Sequence, residues 1–264
     1  AQVVLTWTAN SESDLASYKV YGGTSSSPTT LLSTVTSGQT YTHTGLTNGT
    51  TYYYRISAVD NAVNESDKTA DVSAVPSLQK YTVKTDGTGD YTVIQTAINA
   101  TTNGDTVLVY AGTYYERLNV SNKTISIIGE DKNTTILDAE NVGRAIYNSC
   151  SDPASFEIHN LTIMNGGNSD NGSALYLNSV ESAVINNCII RNNTANNSII
   201  LLDGGTNASI TKTLIANNTC TNSSNSYGAI VVYGNVNLNL DFVTLAFNQR
   251  SGVFTHENNS NVSI

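Results

Sequence analysis

The acids, bases and thiols able to do chemistry are dispersed along this chain. From Phe156 onward the carboxylates are Glu157, Asp170, Glu181, Asp203, Asp241 and Glu257, and the bases include Arg191, Lys212 and Arg250. A lyase needs carboxylates gathered around a cation with a basic residue poised to take a proton, and a hydrolase needs a close pair of acids. Neither spacing occurs. Asp203, in LLDGG, reads as a turn residue rather than a nucleophile. His43, His159 and His256 stand alone, without the spacing of zinc ligands. Cys150, Cys188 and Cys220 form no C-x-x-C pair, and their odd number forbids complete pairing. Cys188 fits a small core position, whereas Cys220, in a connector, is expected to be exposed. No catalytic, cofactor-binding or metal-binding residue is assigned, no cofactor is implied, and the chain is expected not to be an enzyme.

Binding and modification chemistry is better represented. Tyr147, Tyr176 and Tyr233 are candidates for sugar contact, because a tyrosine ring offers a flat apolar face with a polar tip; Tyr114, Tyr115 and Tyr227 belong to the same inventory. Fifteen of the 34 asparagines stand in Asn-x-Ser/Thr, more than random pairing would give. Asn48, Asn64, Asn119, Asn122, Asn133, Asn160, Asn171, Asn192, Asn196, Asn207, Asn217 and Asn222 are the glycosylation candidates. The net charge of -9 and the absence of a basic stripe argue against a nucleic-acid partner. No apolar run reaches the roughly 18–20 residues of a membrane span. An exported protein at the cell surface or outside the cell is the expectation.

These residues sit on a repeat. The segments FEIHNLTIMN, AVINNCIIRNN, ASITKTLIANN and NLNLDFVTLAFN place Ile158, Ile185, Ile210 and Leu240 in one column, and NVSI adds Ile264. Ile163, Ile190, Ile215 and Leu245 form a second column. A third apolar run follows in each repeat, at Ala174–Leu177, Ile199–Leu202, Ala229–Val232 and Val253-Phe254. The steps of 27, 25, 30 and 24 residues between successive repeats suit one coil of a solenoid, with short strands separated by turns. Asparagine tolerates left-handed backbone angles, so Asn165, Asn192 and Asn217 mark one corner, with Asn160 and Asn187 at another; stacked amides or plain turn residues both fit.

The first part of the chain is different. QVVLTWTAN, Tyr18-Lys19-Val20-Tyr21 and Leu46 with Tyr52, Tyr54, Ile56 and Ala58 are short alternating strands. They resemble a fibronectin type III domain, which implies a β-sandwich over residues 1–76; the usual first strand is missing before Val3. Residues 77–80 form a short linker. Beyond it, Thr92-Val93-Ile94-Gln95 reads as a capping box for a helix running to about Thr101, which would cover the apolar end of the first coil.

DGTGDYTVIQTAI, GDTVLVYAGTYYERL, KTISIIGED and TTILD resemble the first coils of pectin methylesterases and of the wider pectate-lyase-like family. The resemblance implies a right-handed parallel β-helix over 81–264, and Asn261-Val262-Ser263-Ile264, which starts another coil without a polar cap, leads to the expectation of an open C-terminal end. It would also imply a Gln-Asp-Thr motif after an INxCxI strand and a nucleophile in Asp-Phe-Ile-Phe-Gly. After Val184-Ile185-Asn186-Asn187-Cys188-Ile189-Ile190, however, amides stand where the acid belongs, and an amide neither takes nor gives the proton.

The sequence therefore gives an all-β protein: a β-sandwich followed by a right-handed parallel β-helix with a short N-terminal capping helix. The expected role is structural or adhesive, in a glycosylated protein whose partners are copies of itself, stacked end to end into a filament, or other surface proteins. The alternative is a polysaccharide-binding or polysaccharide-active protein with its site on the solenoid face or outside this chain.

Overall fold

A computed structural model describes the whole chain except residues 153, 168–170, 223–226, 251 and 256–259. His256, Asp170 and Glu257 thus lie outside the described residues. The chain divides into two compact units, Ala1–Leu78 and Gln79–Ile264.

The first unit has two antiparallel sheets. Val3–Thr6 pairs with Thr40–His43, and Leu15–Gly23 runs between Leu31–Val35 and Tyr52–Asp60, which also takes Val72–Ala74. Aromatic rings fill the space between the sheets. Trp7 meets Tyr18 edge-on at 5.4 Å, and His43 meets Tyr52 and Tyr54. Tyr54 is fully buried with its hydroxyl 3.1 Å from Nδ1 of the half-buried His43, whose pKa burial pushes down.

The second unit is a parallel β-helix with three long sheets and a two-stranded one, Thr194–Ala195 with Thr219–Cys220. The first stacks Lys80–Val83, Thr106–Val109, Ile125–Gly129, Ser155–His159, Ser182–Asn186, Asn207–Thr211, Asn237–Asp241 and Asn261–Ser263. The second stacks Gly112–Tyr115, Thr135–Asp138, Thr162–Met164, Ile189–Arg191, Leu214–Ala216 and Thr244–Ala246. The third stacks Leu118–Asn119, Ile146–Ser149, Leu175–Asn178, Ser198–Asp203, Gly228–Val232 and Val253–Thr255. Lys80, placed in the linker by the sequence, already pairs with Thr106. Ile158, Ile185, Ile210 and Leu240 are register partners pointing inward, as are Ile163, Ile190, Ile215 and Leu245. Such columns arise because a strand's alternate side chains share a face, so each coil must repeat its inward residues to fill the core.

The corners are asparagines in the left-handed region, at Asn160 and Asn187 and at Asn165, Asn192 and Asn217, with φ between 53° and 57°. At the first corner the two amides do stack, Asn187 Nδ2 donating to Asn160 Oδ1 at 2.8 Å. At the second corner the stack lies one residue further on. Asn193 Nδ2 donates to Asn218 Oδ1 and Asn218 Nδ2 to Asn248 Oδ1, at 3.0 and 2.9 Å, with further bonds from these amides going to the carbonyls of Arg191, Ile163, Ile190 and Ile215. Asn193 and Asn218 are buried, so only a fully bonded amide is tolerated there. In the preceding coil Gly166 takes this place, because a Cβ would collide with the Ser173 carbonyl oxygen.

The helix Ile94–Ala100 packs Ile94, Ala97 and Ile98 onto the first coil. The capping box does not form: Val93 is the cap residue and makes no side-chain cap bond. Glu116 replaces it from the connector between Gly112–Tyr115 and Leu118–Asn119, accepting the Ile94 and Gln95 amides at 2.8 and 2.9 Å. A carboxylate there satisfies two orphan donors and meets the positive end of the helix. Lys123 Nζ closes the other end on the Asn99 and Thr101 carbonyls, and burial lowers its pKa. Cys220 is buried like Cys188, and burial pushes both thiols up to about 11.

Candidate functional site on the third sheet

The pleat of the third sheet sends Ile146 and Asn148 inward and Tyr147 outward. Parallel register then sets Asn119, Tyr147, Tyr176, Leu201, Val231 and Phe254 in one outward column. Tyr147 and Tyr176 stack with centroids 5.3 Å apart and planes inclined by 19°. The Arg144 guanidinium lies 4.7 Å from the Tyr176 centroid and 6.0 Å from that of Tyr147. Arg144 Nε donates to the Asn171 carbonyl at 2.9 Å, which fixes the guanidinium over the rings. Against this stack lies a groove of about 470 Å³ lined by Tyr115, Arg117, Glu140, Arg144 and Tyr147, among others. Tyr115 is 64% exposed and Tyr147 36%. Glu116 also borders the groove, but its carboxylate is engaged at the helix, leaving Glu140 as the exposed lining acid.

Of the three sugar-contact candidates, the structure joins Tyr147 and Tyr176 and sets Tyr233 apart. Tyr233 follows Val231 by two residues and so faces outward in the neighbouring column, beyond Asp203. Burial raises the Tyr233 hydroxyl to about 12, assisted by its bond with Tyr227 and by the Asp203 charge. Tyr176 is raised by burial and then by Asp203. Tyr114 is a core residue, its hydroxyl bonding the Val83 and Tyr110 carbonyls. Arg144 escaped the sequence reading. Its signal would have been the pairing of Tyr147 with Tyr176, which requires the register.

The carboxylates remain dispersed. Glu157 is on the first sheet, Glu181 in a connector, Asp203 at the end of a third-sheet strand and Asp241 at the end of a first-sheet strand. Among the described residues no three of His, Cys, Asp and Glu are grouped to hold a metal ion. His159 is not isolated: its Nε2 lies 3.3 Å from Glu157, which also accepts the Ser126 hydroxyl. A second groove, of about 450 Å³ along the first sheet, is lined by serine, asparagine and aliphatic residues without a titratable group. The sequon residues Asn64, Asn119, Asn122, Asn133, Asn192, Asn196, Asn207 and Asn217 are exposed; Asn48, Asn160, Asn171 and Asn222 are half-buried. No helix among the described residues is long and apolar enough to cross a membrane.

No family model and no curated protein matches the chain. Among solved structures, a pectin methylesterase from carrot aligns at 14% identity over 69% of this chain and 82% of its own, with a TM-score of 0.36. A family 28 exopolygalacturonase from Yersinia enterocolitica aligns at 12% identity over 91% and 67%, with a TM-score of 0.30. A pectate lyase from Erwinia chrysanthemi, in complex with tetragalacturonic acid, aligns at 13% identity over 99% and 97%, with a TM-score of 0.27. What is shared is the parallel β-helix. The expectation that the chain is not an enzyme is corrected by these matches, since all three structures are of enzymes. The missing Gln-Asp-Thr motif removes one catalytic arrangement and leaves others open on the same solenoid.

Proposed function

We propose that the protein is an exported, polysaccharide-directed β-helix protein that holds an acidic polysaccharide along its third sheet. The observation that carries this reading is the Tyr147–Tyr176 stack held under Arg144 at the edge of the groove. Two aligned rings give sugar faces an apolar platform, and a fixed guanidinium beside them suits a carboxylate through its fork of donors. The same fold in pectin methylesterase, pectate lyase and exopolygalacturonase agrees with a polysaccharide ligand. Tyr233 extends the face in the next column. The first unit serves as a fibronectin type III-like module; the Thr47 amide donating to the Tyr52 hydroxyl at 3.1 Å supports that assignment, being the tyrosine-corner bond of such sandwiches. The exposed sequons carry glycans in a eukaryotic or archaeal host.

The test is affinity electrophoresis of the full chain in polygalacturonate and in methylated pectin, with the reaction mixture assayed for reducing ends, unsaturated ends and methanol. Retardation that weakens with salt, and that falls about tenfold in Arg144→Ala and Tyr176→Ala, is expected. Any of the three products would add an activity to the site. No retardation of the wild type, or equal retardation of the variants, would overturn the reading.

A further inference from the structure

Two phenylalanines break the rule of the corners. In the coil containing Asn237–Asp241 and Thr244–Ala246, Phe242 and Phe247 have φ of 52° and 53°. Phe242 holds the place of Asn160, Asn187 and Lys212, and Phe247 that of Asn165, Asn192 and Asn217. The left-handed region disfavours bulky residues, and asparagine makes the same turns in earlier coils, so the turns do not require these rings. Nor does the core, because Phe242 is 79% exposed and Phe247 88%. Strain that the fold does not use marks a place to look for function.

The two rings stand at opposite ends of the strand Thr244–Ala246, five residues apart and therefore at most about 18 Å along the chain. Thr244 and Ala246 face outward between them, in register with Leu214 and Ala216 of the coil before. The exposed neighbours are Lys212 and Asp241, of opposite charge, and the amides and hydroxyl of Asn217, Gln249 and Thr244. Two rings and a half-exposed leucine fall well short of the roughly 800 Å² per partner that a stable protein interface buries. The chain's net charge of -9 disfavours an anionic membrane surface. Flat apolar faces with an uncharged hydrogen-bonding rim suit sugar rings, and the cancelling charges give no preference for an acidic chain.

We propose that Phe242 and Phe247 form a platform for an uncharged polysaccharide, whose pyranose rings lie on the phenyl faces and whose hydroxyls meet Thr244, Asn217 and Gln249. The platform is on the second sheet and stands independently of the third-sheet reading. The test compares the full chain with Phe242→Asn/Phe247→Asn and with Phe242→Tyr/Phe247→Tyr for retention on cellulose, chitin and insoluble β-1,3-glucan at low and high salt. Asparagine at both corners preserves the turn, so its melting temperature should equal or exceed that of the wild type. The wild type is expected to be retained on at least one material regardless of salt, the asparagine variant about tenfold less, and the tyrosine variant as well as the wild type. Arg144→Ala should be retained like the wild type. The proposal is overturned if the wild type binds none of the three, if the asparagine variant binds equally, or if Arg144→Ala abolishes retention. It is also overturned if the asparagine pair instead dissolves a dimer seen by sedimentation, which would give the face to a second copy.

Discussion

The first and third sheets are built on the same coils, yet their outer surfaces diverge. Both send aliphatic columns inward, Ile158–Ile185–Ile210–Leu240 from one and Ile146–Leu175–Ile200–Ile230 from the other. Outward, the first sheet carries Ser126, Glu157, Val184, Ser209 and Asn239, whereas the third carries Asn119, Tyr147, Tyr176, Leu201, Val231 and Phe254, of which Leu201 and Val231 are already buried. Stacking dictates the inner residues, because each must fill the space above its predecessor. The outer residues are free of that demand, so the stacked pair of Tyr147 and Tyr176 calls for a ligand or a cover, while small polar groups need neither.

The contrast between inner and outer positions can be broken most decisively at adjacent residues. Ile185→Ala removes a fully buried side chain and should cost about 2–5 kcal/mol, whereas Val184→Ala, one residue away and facing out, should cost under about 1 kcal/mol. Urea unfolding of the two variants measures both, and equal losses would mean that the faces are assigned wrongly. A smaller effect separates Asn217 from Asn218. Asn218→Ala strands the Asn193 amide and the Ile190 carbonyl, an expected loss of about 1–3 kcal/mol, while Asn217→Gly should be nearly neutral, since glycine accepts the left-handed corner without strain.

The smallest expected effect belongs to the first unit. Glu65 bonds Lys19, Tyr21 and Ser57, and these bonds, Lys19 first, hold its carboxyl at about 2. A depressed folded pKa stabilises above the unfolded value, near 4.5, and the contribution is lost as pH falls from there to about 2. Glu65→Gln should flatten the stability profile of the full chain in that window and leave the profile above it parallel. An unchanged acid limb would show that the network contributes nothing.

Repeats and apolar columns were legible in the sequence because the core imposes them at every coil. The corner asparagines were legible by type. Their buried stack was misplaced by one residue, since Asn192 and Asn193 are indistinguishable until the turn shows which side chain enters the core. The helix cap was illegible for another reason: Glu116 lies 21 and 22 residues from the amides it binds, while the local Thr92 and Gln95 pattern suggested a cap that is not made. The Arg144 site was half legible. Tyr147 and Tyr176 stood out individually, but nothing short of the register brings them together beneath an arginine.

The connectors carry a practical consequence. Passage from the first to the second sheet takes two residues in four successive coils, Asn160-Leu161, Asn187-Cys188, Lys212-Thr213 and Phe242-Val243, although the coil before them uses five, Glu130–Thr134. Passage from the second to the third is elastic, using residues 165–174, 192–197, 217–227 and 247–252 in successive coils. In these coils length therefore varies most between the second and third sheets, and the inner columns keep their register across every change. A foreign peptide spliced into this side, for display or for a new specificity beside the third sheet, should leave the solenoid intact, because successive coils already absorb changes of length there.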